Sequence, residues 1–486
     1  MNYFNSNRNI SMLIDFYEFT MANGFLSSSI KDKEVVFDMF YRQNPDNGGY
    51  VVFSGLDTYI DFIENLHFSL DDISFLASLN KFDAEFLSYL STFKFSGDIY
   101  AIEEGTPVFP NEPLVCVKAN IIEAQLIETM TLLCFNFSSL ISTKANRIKI
   151  AAKGKAVMEF GSRRAQSFDA AILGTRASYI GGVTLSANVL ANQLFDVKAI
   201  GTMAHSWIQS FDNEYEAFKA YALKYPDDTT LLIDTYNVID SGIINAIKVN
   251  NEVLKPMGKY LKAVRIDSGD LAYLSKKVRN LLDDADMQST QICLSNSLDE
   301  YLIKSLLEQE ACVDSFGVGE RLITAKSDPV FGGVYKLSAV IENGEVIPRI
   351  KLSENMDKIT NPGFKTLYRL YDKSKNIAIA DLITLHDEVI NDSLPLTIFD
   401  PVSPWKKLTL TDYYAVNLHV PIFKSGKLVY NRKSLAQIRT YCDAQLNTLY
   451  PELKRFENPH TYYVDLSNNL YNLKIELLSK MNKIEK

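Results

Sequence analysis

The stretch that decides the fold is Ala263-Val-Arg-Ile-Asp-Ser-Gly-Asp-Leu-Ala-Tyr-Leu-Ser-Lys-Lys-Val-Arg-Asn-Leu-Leu282. It opens with a short apolar run, Ala263–Asp267, and breaks at Ser268-Gly269. It then continues with Leu271, Leu274, Val278, Leu281 and Leu282 at helical spacing. A buried strand, a polar end and an amphipathic helix in that order make one β-α unit. The rhythm recurs on both sides, with apolar runs at Ala156–Phe160, Val197–Thr202, Leu231–Asp234, Ile292–Ser295 and Val313–Val318. Leu298, Tyr301, Leu302 and Leu306 repeat the helical spacing. Strands separated by such helices imply right-handed crossovers and a parallel sheet. Six in succession predict an α/β fold, an irregular TIM-like barrel over residues 151–346.

The flanking segments read differently. Residues 1–150 mix a helical start (Met12–Phe25), strand-like pieces (Val35–Tyr41, Tyr50–Phe53) and a helix near Thr58–Leu66. Asp98–Lys118 is cut by Gly105, Pro107, Pro110 and Pro113, as turns between edge strands are. Ile121–Ile150 is almost free of breakers and predicts a long helical stretch. Residues 347–486 are rich in Tyr, Asn, Lys and Leu, end in a helix over Asn469–Lys483, and are too irregular to predict a core of their own. They are expected to pack back on the N-terminal segment, the two together forming an α+β domain.

Of 486 residues, 47% are hydrophobic and 22% charged, the ordinary globular mixture, which excludes disordered, collagenous and coiled-coil chains. The balance of 50 Lys and Arg against 59 Asp and Glu gives −9, which argues against a nucleic-acid-binding surface but not against a small anionic substrate. Five cysteines, widely spaced and without a Cys-x-x-Cys pair, fit a reducing compartment rather than a disulfide framework or a zinc site. Asp15 and Glu18 interrupt the apolar residues near the start, and no stretch reaches the ~20 apolar residues of a membrane span. The expectation is a cytoplasmic protein that does not engage a membrane.

Each apolar run closes on polar or glycine residues: Glu159–Arg164, Gly201–His205, Asp234–Asn237, Arg265–Asp270, Ser295–Ser297 and Gly317–Arg321. Loops after strands are polar in any case, but in an α/β barrel the carboxyl ends of the strands build the active site. Of five histidines, only His205 follows a predicted barrel strand, where imidazole can serve as base, metal ligand or phosphoryl acceptor. Asp234, at the next strand end, is an acid that could orient its ring. Arg265 suits a phosphate or carboxylate, and Asp267 suits sugar hydroxyls or a hydrated Mg²⁺. Asp270 precedes Leu271 as a helix N-cap would. Gly317 and Gly319 leave room for a phosphate against backbone N–H groups, and Phe160 offers a stacking face beside Arg163 and Arg164. No phosphate loop of the Walker type, complete G-x-G-x-x-G, His-Glu-x-x-His or G-x-S-x-G is present.

The chain resembles the nicotinate phosphoribosyltransferases nearly end to end. The resemblance is carried by Asp15-Phe-Tyr-Glu-Phe-Thr-Met21, Glu104-Gly-Thr-Pro-Val-Phe-Pro-Asn-Glu-Pro113, Glu159-Phe-Gly-Ser-Arg-Arg-Ala-Gln166 and Gly201-Thr-Met-Ala-His-Ser-Trp207. Asp234-Thr-Tyr-Asn237, Arg265-Ile-Asp-Ser-Gly-Asp270, Gly317-Val-Gly319 and Gly332-Gly-Val-Tyr-Lys-Leu337 complete it. It implies transfer of ribose 5-phosphate from phosphoribosyl pyrophosphate to nicotinate, releasing pyrophosphate, as the first step of NAD biosynthesis from nicotinate. It also implies Mg²⁺, ATP hydrolysis coupled through a phosphohistidine, and a homodimer with shared active sites. On this resemblance His205 matches the phosphorylated histidine and Asp234 its orienting acid. Tyr17, supplied by the partner subunit, and Phe160 match the residues that sandwich the pyridine ring. Arg163, Thr202 and Arg265 match substrate-contacting positions, Asp267 a ribose contact, and Ser295 with Gly317 and Gly319 the phosphate side. Asp267 or Asp270 would meet the metal.

In the related nicotinamide enzymes an acid in the glycine-rich loop binds the amide; here Ala187 takes its place with Ser186 beside it, which favours a carboxylate ligand that Ser186 could donate to. Two departures stand out. Glu320 follows Gly319 where many relatives carry a small hydroxyl residue, so its carboxylate must turn outward, pair with Arg321 or reach Mg²⁺. Leu185-Ser-Ala-Asn188 departs from the usual Gly-Thr-Ser-Asn. The competing readings are a nicotinamide-specific transferase, a degenerate non-catalytic relative blocked by Glu320, and a barrel glycosidase using Glu159 and Asp267 as paired carboxylates.

Overall fold

The computed structural model describes residues 9–354 and 358–484. The chain forms two compact units, one from the segments up to Leu140 and from Val330 onward, the other from Ile141–Pro329.

The second unit holds the predicted parallel sheet. Its six strands lie in the order Leu185–Ser186, Ala156–Glu159, Ser315–Val318, Gln291–Ser295, Ala263–Ile266 and Thr230–Leu232. All five pairings are parallel. The sheet keeps two edge strands among the described residues, so it is a half barrel rather than a closed ring. The crossovers carry the expected helices, including Leu271–Asp284 and Glu300–Glu308, whose Leu271, Val278, Leu282 and Leu306 are buried. The register brings the strand ends level: Glu159 faces Ser186 on one side and Val318 on the other, while Ser295 faces Gly317.

One predicted strand does not form. Val197–Thr202 makes a single bridge, Ala199 with Ser186, closed by Ser186 N–H to the Lys198 carbonyl (3.2 Å) and Ile200 N–H to the Ser186 carbonyl (2.8 Å). Lys198 and Gly201 interrupt the apolar run, and the edge strand it meets is only two residues long, so the ladder ends after one rung. The edge strand itself, Leu185–Ser186, is too short to leave a periodic signal.

The first unit is α+β and is built from both ends of the chain, as the sequence predicts. Its seven-stranded antiparallel sheet runs Glu345–Pro348, Gly333–Glu342, Glu34–Tyr41, Val115–Asn120, Asp98–Ile102, His419–Lys424 and Lys427–Leu428. Gly333–Glu342 falls within the stretch assigned to the barrel on sequence, yet it pairs along its length with Glu34–Tyr41. The C-terminal segment also has more structure of its own than expected. A second sheet, Tyr413–Asn417, Lys365–Asp372, Ala378–Leu385 and Tyr463–Leu466, encloses a core of Leu370, Ala380, Leu382, Ile398, Leu410 and Tyr413. Lys365, Thr366, Arg369, Asp381 and Thr384 are buried in its two central strands, and these polar residues break the apolar runs and hide such a core from a composition-based reading. Among the described residues no helix is long and apolar enough to cross a membrane.

Candidate active site

Five of the predicted site residues meet at neighbouring strand ends of the half barrel. Phe160 follows the strand Ala156–Glu159, and its N–H donates to the Val318 carbonyl (2.8 Å). The Arg265 guanidinium lies 5.3 Å from the centroid of the Phe160 ring. Arg265 Nε donates to Ser295 Oγ (2.8 Å) and Nη2 to Asp267 Oδ1 (3.1 Å), while Ser295 Oγ donates to the same Asp267 oxygen (2.5 Å). Three side chains from two strands thus hold one another, leaving a cation beside an aromatic face.

The glycines behind this group serve the ring. A Cβ on Gly317 would lie 2.6 Å from Phe160 Cδ2 and Cε2 and 3.3 Å from Ser295 Cβ. A Cβ on Gly161 would lie 2.7 Å from the Gly319 carbonyl oxygen. Close approach of the two strand ends, rather than an unusual φ, is what excludes side chains here.

His205 opens the helix His205–Gln209 and is half-buried. Its Nδ1 is 3.1 Å from Thr235 Oγ1, so the group beside the ring is the hydroxyl next to the anticipated acid. Asp234 turns elsewhere: its Oδ2 accepts from Ser268 Oγ (2.6 Å) and the Asp267 N–H (3.1 Å), and its Oδ1 is buried with no hydrogen-bond partner. Thr235 and Ser268 were not singled out on sequence. Their signal was position alone, each lying beside an acid at a strand end.

Glu320 pairs with Lys326 Nζ at 2.6 Å and lies 3.8 Å from Arg164 Nε, not with Arg321, whose guanidinium bonds Asp299. The Lys326 hydrogen bond holds its carboxyl below the usual range. Ser186 is buried, and its hydroxyl donates to Glu159 Oε2 (2.5 Å), so its one proton is committed inside the protein rather than offered to a ligand. Ala187 beside it is exposed. Asp270 is an N-cap, accepting from the Tyr273 N–H at 3.0 Å. Arg163 is exposed on the short turn Ser162–Arg164, and the Thr202 hydroxyl makes only a long contact (3.5 Å) to the Met203 carbonyl. Tyr17 belongs to the other unit, on the helix Phe16–Leu26, and is 45% exposed.

Glu159 is wholly buried, and burial raises its carboxyl, opposed by bonds from Ser186, Gly161 and Thr175. It cannot be one of two solvent-facing carboxylates, which removes the geometry a glycosidase needs. Among the described residues no group of three or more His, Cys, Asp or Glu side chains could cage a metal. A hydrated Mg²⁺ brought in by phosphates needs only one or two carboxylates, which Asp267 and Asp270 could supply.

Three family models account for nearly the whole chain: the nicotinate phosphoribosyltransferase N-terminal domain over residues 12–136, the nicotinate phosphoribosyltransferase family over 155–365 and its C-terminal domain over 364–474. The chain belongs to the nicotinate phosphoribosyltransferase family. It is 39% identical over 474 residues to the nicotinate phosphoribosyltransferase of Bacillus subtilis (strain 168), covering 97% of this chain and 96% of that one. The nicotinate phosphoribosyltransferase of Caenorhabditis elegans is 33% identical over 521 residues, covering 95% of this chain and 92% of that one. The crystal structure of human nicotinic acid phosphoribosyltransferase superposes with a TM-score of 0.85 at 28% identity, over 96% of this chain and 100% of that one. The half barrel is therefore the family's own architecture.

Proposed function

We propose that this chain transfers ribose 5-phosphate from phosphoribosyl pyrophosphate to the ring nitrogen of nicotinate, giving nicotinate mononucleotide and pyrophosphate, as the first step of NAD biosynthesis from nicotinate. The observation that carries this reading is Arg265, 5.3 Å from the Phe160 ring centroid and bonded to Asp267 and Ser295. An aromatic face, a fixed guanidinium and a carboxylate side by side suit a flat anionic ring next to a sugar.

In this reading Phe160 stacks on the pyridine ring, with Tyr17 of the partner subunit on the other face and Arg163, Arg265 and Thr202 contacting the substrates. Asp267 holds the ribose hydroxyls, and Ser295 with the Gly317–Gly319 strand end borders the phosphate side. The anomeric carbon loses its bond to pyrophosphate as the ring nitrogen bonds to it, and the gain is mainly one of position. Bound Mg²⁺ would offset the charge on the departing pyrophosphate. Glu320 is held outward by Lys326 and so need not repel the sugar phosphate.

The coupling to ATP is part of the same proposal. A proton on His205 Nδ1, donated to Thr235 Oγ1, leaves Nε2 with the lone pair that accepts the γ-phosphoryl group of ATP as ADP departs, and later hydrolysis of the phosphohistidine releases phosphate and returns the imidazole. The working form is a cytoplasmic homodimer. Pyrophosphate release from the purified protein that requires nicotinate and phosphoribosyl pyrophosphate together supports the transfer; release independent of nicotinate, or none, contradicts it.

A further inference from the structure

Glu159 is a carboxylate in a place where packing alone would favour an apolar side chain. It ends a parallel strand, is fully buried, and has a burial-raised carboxyl. Three donors from three elements converge on it. One oxygen accepts from the Gly161 N–H, the peptide just beyond Phe160. The other accepts from Thr175 Oγ1 (3.1 Å) on the helix Phe168–Gly181 and from Ser186 Oγ (2.5 Å) on the edge strand. The Glu159 carbonyl in turn accepts from the Ala187 N–H (2.9 Å).

These bonds bracket Phe160. Its own N–H is tied to Val318, the next N–H is tied to Glu159, and its ring rests against the bare Cα of Gly317. The same carboxylate also anchors the Ser186–Asn188 turn, whose Asn188 N–H donates to Ser186 Oγ (3.0 Å). The stacking ring and the exposed Ala187 are therefore referenced to one buried group.

We propose that Glu159 is the positioning residue of the pyridine slot, setting the distance between the Phe160 ring and the Ala187 turn; this rests on the transfer reaction proposed above. The carboxylate acts through the Gly161, Thr175 and Ser186 donors and does not touch substrate. An amide cannot accept all three bonds, because its nitrogen only donates. Thr175→Val removes one donor, a methyl taking the place of the hydroxyl; the bond that hydroxyl also makes to the Ala171 carbonyl of its own helix (2.9 Å) is lost with it.

The test is steady-state kinetics of wild type, Glu159→Gln and Thr175→Val with each substrate varied in turn, beside thermal unfolding of each protein. Glu159→Gln should raise the nicotinate KM about tenfold and Thr175→Val about threefold, with the KM for phosphoribosyl pyrophosphate within about twofold of wild type. Thr175→Val should melt close to wild type, and it carries the test if Glu159→Gln does not fold. An unmoved nicotinate KM in folded variants overturns the proposal, as does a rise in both KM values that tracks loss of melting temperature. A wild type that forms no nicotinate mononucleotide removes the transfer reading and this inference with it. An active wild type with unmoved variants removes only the inference.

Discussion

The Phe160 ring occupies the space where a Gly317 side chain would be: a Cβ there would lie 2.6 Å from two of its ring carbons. A contact that close forces a shift, and the aromatic side chain is the part free to give. Gly317→Ala should therefore displace the ring and raise the nicotinate KM about tenfold while the protein stays folded. Kinetics with nicotinate varied check it; an unchanged KM would separate Phe160 from pyridine binding.

The neighbour of His205 is Thr235, at 3.1 Å from Nδ1. His205→Ala should abolish stimulation by ATP and leave some uncoupled transfer. Thr235→Val should weaken the stimulation without abolishing it, since only ring orientation is lost. Acid-labile label from γ-labelled ATP should appear on wild type, fall in Thr235→Val and vanish in His205→Ala. Equal labelling of all three would refute the assignment.

Glu18 is buried next to Thr129, whose hydroxyl donates to it at 2.5 Å. Burial, opposed by that bond, pushes its carboxyl up from 4.5 to about 7. The folded chain thus holds the proton more tightly than the unfolded one. The stabilisation is complete below pH 4.5 and is lost as pH rises through about 7. Glu18→Gln should unfold at nearly the wild-type denaturant concentration at acid pH and be more stable by about 1–3 kcal/mol at pH 8. A constant difference between the two proteins from pH 5 to 8 would exclude this group as the source.

Arg369 is fully buried in the C-terminal sheet and bonds Asp381 twice, at 2.8 and 2.6 Å, with Tyr462 Oη donating to the same carboxylate at 2.9 Å. Burial and the Asp381 charge raise the Glu112 carboxyl well above its usual range. Arg369→Met would leave Asp381 without its cation and should cost about 3–5 kcal/mol. Replacing Asp381 by Leu as well should recover much of that loss. Urea unfolding checks both, and a double variant no better than the single would contradict the account.

The sheet was legible because buried parallel strands are apolar runs, and the site followed because polar residues gather at their carboxyl ends. Phe160, Arg265, Asp267, Ser295 and Gly317 all came from that one pattern. Partner choice did not. Asp234 and Thr235 are adjacent on the chain, yet the side chain beside His205 is the threonine, because Ser268 and the Asp267 N–H engage the acid. Ser186 looked available to a ligand and is instead turned inward to Glu159, which has no periodic signature. Arg321 was one of the partners open to Glu320 on sequence, but Asp299 holds it and Lys326 takes its place. Sequence order gives the elements and the residues they carry; side-chain direction is set by the neighbours each strand acquires on folding.

The most direct test of the central claim is chromatographic identification of the product formed from phosphoribosyl pyrophosphate and Mg²⁺ with nicotinate or nicotinamide, each with and without ATP. The account predicts nicotinate mononucleotide, in greater yield with ATP, and little from nicotinamide. Nicotinamide mononucleotide as the main product would contradict the specificity drawn from Ala187, and no mononucleotide from either base would contradict the transferase reading itself.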